Sequence, residues 1–480
     1  MSSFEVRRKD LMGRTGRLDL GDHEVATPAL MPVVNPHYGI PDLDDARIAI
    51  TNAHILRESD DHHDTAVEDG VHAVLGFDGP VVTDSGSFQL SVYGDDEVDA
   101  TNEEILAFQD RIGTDVGTPL DLPTDPDAPR DVAEDDVEVT LDRIAEAVDR
   151  DTGFAVNAPV QGAIHTDLRR NAAERAAGLD GDVYPIGGVV PLMQQYRYAE
   201  LVDVVMAAKQ GLGHAPPVHL FGAGHPMIFG LAVAMGCDLF DSAAYAIYAH
   251  EGRYLTPNGT HEIEELTELP CSCEACRDRE PDALVDDPDT LADHNLATSF
   301  AEMRRVRDAL RRGALFEHLE RRCRAHPALL DGLRRFAEHA GTVERVDPAT
   351  KATPFYLGTA RRPAVIRHHD RLDRIEVGDA VTVTACKTEG RDDLLLLNPP
   401  FGPFPPALVE SYPFNAETPE EPDHAALATA LEGVERLVAL NPDADVTLEH
   451  PGWSHPKLDD LADAGVTLDD TSHGQEAEEP

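Results

Sequence analysis

Short apolar runs alternate with helix-like stretches from residue 18 to about residue 256, and no other feature restricts the fold as strongly. The runs fall at 48–50, 81–82, 154–156, 186–190, 218–221 and 239–240, and the helical patterns at 102–111, 137–148 and 197–209. Parallel strands need a crossover between neighbours, so strand-then-helix repetition predicts a parallel sheet, and this many units favour its closure into an α/β fold of the (β/α)₈ TIM-barrel type. Several runs end in polar or glycine-rich residues: Thr83-Asp84-Ser85-Gly86, Gln161-Gly162, Gly187-Gly188, Gly222-Ala223-Gly224-His225 and Asp241-Ser242. Barrels carry their active sites at the carboxyl ends of the strands, so these turns are expected to ring one mouth.

A barrel domain of about 250 to 350 residues leaves part of the 480-residue chain over. Residues 1–340 are read as the barrel with a metal-binding insertion, closing with a helix pair over 302–339 that breaks near Pro327. Residues 341–470 are read as a smaller α+β accessory domain, with strands at 364–367, 380–384 and 393–397, a proline-rich bend at 399–406 and a helix at 424–440. Residues 471–480 are polar and acidic, the composition of a disordered tail. With 41% hydrophobic residues the chain can bury a core without disulfide staples.

Ninety Asp and Glu face forty Lys and Arg, a formal net charge of −50 spread along the whole chain. In dilute salt such a surface repels itself and any nucleic acid; at molar salt the Debye length shrinks to about 3 Å and close contacts decide binding. The acidity is therefore read as adaptation to a halophilic host, since a basic partner would ask for clustered charge. The amino terminus has no signal-like apolar core and no apolar run approaches membrane-spanning length, so a cytoplasmic enzyme without membrane attachment is expected.

Three of the six cysteines stand in Cys271-Ser272-Cys273-Glu274-Ala275-Cys276, which is metal spacing and not a disulfide ladder. His294 lies eighteen residues beyond Cys276; three thiolates and one imidazole would close a tetrahedral structural zinc site, although His261, His318 and His326 are alternative fourth ligands. Cys237, Cys323 and Cys386 lack partner spacing and read as small core residues. Asp84 and Asp241 place carboxylates at two strand ends. One carboxylate can attack an anomeric carbon while another shuttles a proton, which suits base exchange on a ribose. In so acidic a chain, each Asp must also be weighed as a solvated surface group or a helix cap.

In content and in order, Thr83-Asp84-Ser85-Gly86-Ser87-Phe88-Gln89, Val160-Gln161-Gly162, Ile186-Gly187-Gly188-Val189, His219-Leu220-Phe221-Gly222-Ala223-Gly224-His225-Pro226, Leu239-Phe240-Asp241-Ser242 and the cysteine cluster with His294-Asn295-Leu296 resemble the tRNA-guanine transglycosylase family. The resemblance spans roughly residues 4 to 470, and an ordered set of motifs is far more specific than any one of them. Asp241-Ser242-Ala243-Ala244-Tyr245, Arg253-Tyr254-Leu255-Thr256 and Asn398-Pro399-Pro400-Phe401-Gly402-Pro403 resemble its archaeal branch.

That resemblance implies a pentosyltransferase acting on tRNA, exchanging guanine at position 15 of the D-loop for 7-cyano-7-deazaguanine, a precursor of archaeosine. It implies Asp241 as nucleophile and Asp84 as general acid/base; Asp121, Gln161, Gly188 and Val189 as the base-reading positions, with Ser85 and Gln89 assisting; and Cys271, Cys273, Cys276 and His294 around one structural Zn²⁺ per subunit. It further implies a homodimer. Longer members end in a PUA domain that holds the tRNA acceptor end; none is read before Pro480, so a separate PUA-domain protein is expected to supply that contact. Arg169, Arg170, Arg361 and Arg362 are candidate contacts to tRNA, His225 reads as a structural imidazole, and Phe88 and Tyr245 are candidates to stack on a base, weighed against the commoner core packing of an aromatic beside an active-site turn. Three other readings compete: a paralogue of the archaeosine synthase type, which would carry its own catalytic cysteine segment; a non-catalytic tRNA-binding subunit, which would have lost the nucleophile or the zinc ligands; and a bacterial-type enzyme acting at the anticodon, against which the Asp241 neighbourhood argues.

Overall fold

A computed structural model of the chain describes residues 2–87, 100–150, 152–386 and 394–472. Two compact units emerge, Met1–Arg311 with Arg322–Arg335, and Arg312–Arg321 with Phe336–Pro480. The first opens with an antiparallel sheet of β1 (Ser3–Asp10), β2 (Gly13–Asp19) and β3 (Glu24–Thr27). Eight strands follow: β4 (Ala29–Pro32), β5 (Ala49–Asn52), β6 (Val81–Asp84), β7 (Val116–Gly117), β8 (Ala155–Val156), β9 (Tyr184–Ile186), β10 (Val218–Leu220) and β11 (Leu239–Ser242). They form two parallel four-stranded sheets, ordered β4-β11-β10-β9 and β5-β6-β7-β8. Parallel bridges link the sheets at both edges, from Val33 to Ile50 and from Asn157 to Val183 and Val160 to Ile186. The unit is an α/β fold.

Residues of β4, β5, β9 and β10 are buried without alternation, as expected of parallel strands covered on both faces. Met31, Ile50, Val82, Val116, Val183 and Leu239, drawn from or beside both sheets, share one buried cluster with Leu18 and Val25 of the opening sheet. Helices cover the other faces. The helix Asn102–Arg111 starts at a capping box in which Thr101 and Glu104 exchange hydrogen bonds, and it turns Ile105, Leu106 and Phe108 inward. The helix Arg130–Asp149 buries Ala133, Val137, Leu141 and Ile144 at three- and four-residue spacing.

The expected run at 186–190 stops as a strand at Ile186, because Gly187 and Gly188, the latter at φ +66°, turn the chain into a helix over Val190–Gln194. The expected helix pair at 302–339 is three helices, Pro288–Arg312, Leu315–Cys323 and Pro327–Glu338, with an additional break at Gly313, φ +69°. Sequence reading missed β1 to β4 and the two-residue β7, which is too short to display a period.

In the second unit, β14 (Ala380–Thr384), β15 (Leu394–Leu397), β16 (Pro403–Phe404), β17 (Asp445–His450) and β18 (Thr467–Asp470) form a sheet ordered β16-β15-β14-β17-β18; β12 (Arg253–Thr256) and β13 (Gly259–Glu262) are a hairpin of the first unit. All neighbours in this sheet except β15 and β16 are parallel, and helices His424–Leu440 and Pro456–Asp463 lead into β17 and β18. This is an α/β winding in place of the segregated α+β arrangement expected. The expected strand at 364–367 lies in a helix, Pro363–His369, whose first position suits proline's fixed φ. Of the expected tail, residues 473–480 lie outside the described residues.

Candidate active site and metal centre

The carboxyl ends of β6 and β11 each deliver an aspartate. Asp84 accepts hydrogen bonds from Asn52 Nδ2 and from the Gly86 N–H, both at 3.3 Å. Gly86 sits at φ +97°, and a Cβ there would stand 2.5 Å from His54 Cβ, so the turn admits only glycine. Asp121 follows β7 and is buried; it accepts from Gln161 Nε2 at 2.7 Å and from the Ser87 hydroxyl, which in turn lies 2.7 Å from Ser85 Oγ. Removal from water, then the charges of Asp121 and Asp241, push the Asp84 carboxyl from its ordinary 3.8 up to about 7. Burial also raises Asp121, opposed by its bonds from Gln161 and Ser87.

Asp241 is held differently. His219 Nε2 and the Gly222 N–H both lie 2.7 Å from Oδ1, while no hydrogen bond from the described residues reaches Oδ2. Gly222 makes this possible at φ +66°, where a Cβ would stand 2.3 Å from Val190 Cγ2. One strand end thus carries an acid that exchanges its proton near neutrality, and another a carboxylate anchored through one oxygen with the second free. That is the division of labour required of a proton shuttle and a nucleophile.

Gln161 is 1% exposed and its Oε1 has no partner among the described residues, a cost that a donating ligand would relieve. Two glycines lie against it: a Cβ on Gly187 would stand 2.2 Å from Gln161 Nε2, and one on Gly188 would stand 2.6 Å from Thr124 O. Val189 is fully buried beside them. Ser85, Asp121 and Gln161 are thereby joined in one network; Gln89 and Phe88 lie outside the described residues.

Three other expectations meet their structural surroundings here. Arg169 is fully buried, donating to Val160 O at 2.7 Å and Ala163 O at 2.8 Å, with burial alone pulling its guanidinium down to about 9. It braces the Gln161 turn and cannot touch a tRNA surface. Arg362 is likewise buried against Glu317, which leaves Arg170 and Arg361 as the exposed members of that set. Tyr245 is core, its hydroxyl donating to Val33 O, and His225 uses both ring nitrogens, toward Thr260 Oγ1 and the Met227 N–H. Burial and Arg253 push His225 down to about 4, in keeping with a structural imidazole.

His219, Asn52 and Ser87 are the contacts that sequence reasoning did not single out. His219 stood inside a quoted motif, but only the three-dimensional pairing of β10 with β11 aims it at Asp241.

At the candidate metal centre, ligand atoms of Cys271, Cys273, Cys276 and His294 all lie within 4.8 Å of one another. His294 Nδ1 lies 3.2 Å from Cys276 Sγ and 3.4 Å from Cys273 Sγ, and Nε2 donates to Leu255 O at 3.0 Å. That second bond fixes the tautomer and turns Nδ1 toward the thiols, as metal-binding histidines require. Tyr254 stacks on the imidazole at 3.7 Å. Next door, Asn295 accepts from Leu255 N and donates to Tyr245 O and Arg253 O, so the cluster is tied to the helix Ala244–His250 that follows Asp241. The donor set and spacing fit zinc.

The queuine tRNA-ribosyltransferase family model matches residues 10–328. The chain belongs to the tRNA-guanine transglycosylase family. Within it, the chain is 48% identical to a "tRNA-guanine(15) transglycosylase" of Haloarcula marismortui, over 98% of this chain and 99% of that one. Proteins of the same name from Haloferax volcanii, 49% identical over 95% of this chain and 92% of theirs, and Methanosarcina barkeri, 47% over 95% and 96%, are similarly close. Two of these family members come from halophilic archaea, in accord with the acidic composition. Among the described residues no helix is long and apolar enough to cross a membrane.

Proposed function

We propose that this chain is a tRNA-guanine(15) transglycosylase that replaces a guanine in the tRNA D-loop by 7-cyano-7-deazaguanine. What carries the reading is Asp84, an acid titrating near neutrality, set in one site with Asp241, clamped through a single oxygen, in a chain 48% identical to a relative of that name. Asp241 Oδ2 attacks C1′ of the ribose as the bond to guanine breaks, and Asp84 donates its proton to the departing base. The incoming base then loses a proton to Asp84 and displaces Asp241 from C1′, so two displacements leave the anomeric configuration unchanged.

Asp121 accepts from the ring N–H and exocyclic amine of the base, and Gln161 with the Gly188-Val189 backbone addresses the remaining edge; Ser85 orients Ser87 against Asp121. Gln89 is assigned an assisting place on resemblance alone. Zn²⁺ held by Cys271, Cys273, Cys276 and His294 supplies cross-linking and no chemistry, one ion per subunit.

We read the eight strands as one closed (β/α)₈ barrel, which the bridges at both sheet edges and the shared interior cluster support. Residues 1–340 are assigned as the catalytic domain with its zinc insertion, 341–470 as an accessory domain and 471–480 as a tail. A cytoplasmic homodimer, assisted by a separate PUA-domain protein on the acceptor end, completes the proposal.

The test is incorporation of radiolabelled guanine, and then 7-cyano-7-deazaguanine, into unmodified tRNA at molar KCl, with the site mapped. Exchange at position 15 is expected. Folded, zinc-loaded protein that exchanges neither base, even with host extract added, would overturn the proposal.

A further inference from the structure

At the opposite ends of the same parallel strands, two imidazoles and a carboxylate meet. His23 lies in the turn between β2 and β3, His72 in the helix Val71–Leu75, and Asp115 directly before β7; their ligand atoms all fall within 4.8 Å of one another. His72 Nε2 is 3.0 Å from Asp115 Oδ2 and His23 Nε2 is 3.8 Å from Oδ1, while the two rings stack 6.0 Å apart at 23°.

The carboxylate is oriented from behind. The Val81 N–H donates to Asp115 Oδ2 at 2.7 Å, and no hydrogen bond from the described residues reaches Oδ1. The His72 imidazole is itself held by the Gly79 backbone. His23 Nε2 therefore faces a carboxylate oxygen across a gap too wide for a hydrogen bond, although Asp115 is only 14% exposed. Ligand atoms sharing one tetrahedral zinc stand about 3.4 Å apart, given bonds of roughly 2.0 to 2.2 Å. The gap is close to that spacing, and backbone partners hold the other side of the cluster, as in built metal sites.

We propose that His23, His72 and Asp115 form a second metal site, binding one divalent transition ion of the zinc class. Two imidazoles and one carboxylate select such ions over Mg²⁺ or Ca²⁺, which prefer all-oxygen shells. The ion ties the β2–β3 turn to the amino-terminal edges of β6 and β7. Asp84 lies at the far end of β6, about 10 Å along the strand from Val81, so this ion is a staple and takes no part in base exchange.

The experiment equilibrates the full chain with excess Zn²⁺, and in parallel Co²⁺, in molar KCl, removes free metal and counts bound ions by mass spectrometry. Wild type is expected to retain two ions per chain. His23→Gln, a change on a partly exposed turn, is expected to retain one and to keep the cobalt–thiolate absorption of the cysteine centre; Cys273→Ser is expected to lose that absorption and keep the other ion. The second ion's dissociation constant should rise at least about 10-fold in His23→Gln. A single ion in wild type at every concentration would overturn the site, as would a second ion indifferent to His23→Gln, which would belong to the acidic surface.

Discussion

Replacing Asp84 by Asn should stabilise the protein while abolishing its chemistry, and the effect should depend on pH in a defined direction. Asp84 binds its proton near pH 7 in the folded protein against an ordinary 3.8, chiefly because the folded site strips water from the carboxylate and sets Asp121 and Asp241 nearby. The folded state thus holds this proton more tightly than the unfolded chain, so the stability it confers is present below pH 4 and is lost as pH rises through 7. About three pH units at about 1.4 kcal/mol each give a ceiling near 4 kcal/mol; Asp84 is half-buried, and solvent screening brings the expected figure to about 2 to 4 kcal/mol. Asn carries no charge to desolvate and keeps an oxygen for Asn52 and Gly86. Denaturant unfolding of both proteins in molar KCl from pH 4 to 8.5 should give a stability difference near zero at the acid end that grows in favour of Asp84→Asn and levels above pH 8. Parallel curves would refute the assignment of a charge-repelled, desolvated acid, whatever happened to activity. Wild-type exchange should show an inflection near pH 7, and the variant should show no exchange.

Three further outcomes follow from the same contacts. His219→Phe removes one of two hydrogen bonds on Asp241 Oδ1, worth about 1.5 to 3 kcal/mol to a charged group, so kcat for guanine exchange should fall roughly 10- to 150-fold with KM for tRNA unchanged. Gly187→Ala puts a methyl 2.2 Å from Gln161 Nε2 and should raise KM for the incoming base by about 10- to 100-fold, at near-normal melting temperature, as Gln161 leaves Asp121. Cys273→Ser should cost the cysteine-centre zinc, measured by metal analysis, and lower the melting temperature by on the order of 10 °C; unchanged metal and stability would show that the cluster is no zinc site.

Much of the active-site side of the fold was legible because parallel strands announce themselves as unbroken apolar runs and their ends as glycine turns: Val81, Val218 and Leu239 begin strands whose last or following residues are Asp84, Gly222 and Ser242. The opening sheet was not, since β1 is mostly exposed and carries charged residues such as Arg7, Arg8 and Lys9 where a buried strand would show Val or Ile. The strand expected at 364–367 failed for a related reason: four residues of mixed polarity fit either period, and Pro363 decided for a helix. Within the site, the three cysteines were readable from spacing, but their fourth partner needed the fold to bring His294 across from its helix. Burial is what one sequence conceals best. Arg169 and Arg362 look like polyanion contacts as letters, and only packing shows that their guanidinium groups face carbonyls and a carboxylate inside.

In the proposed mechanism Asp241 forms a covalent bond to the ribose of tRNA. Incubating the protein with unmodified tRNA and guanine at molar KCl, quenching, and resolving protein from protein–tRNA adduct on a denaturing gel measures it directly. Wild type should give an adduct whose ribose-linked peptide contains Asp241, and Asp241→Asn should give neither adduct nor exchange. An adduct that survives in Asp241→Asn, or full exchange by that variant, would contradict the account.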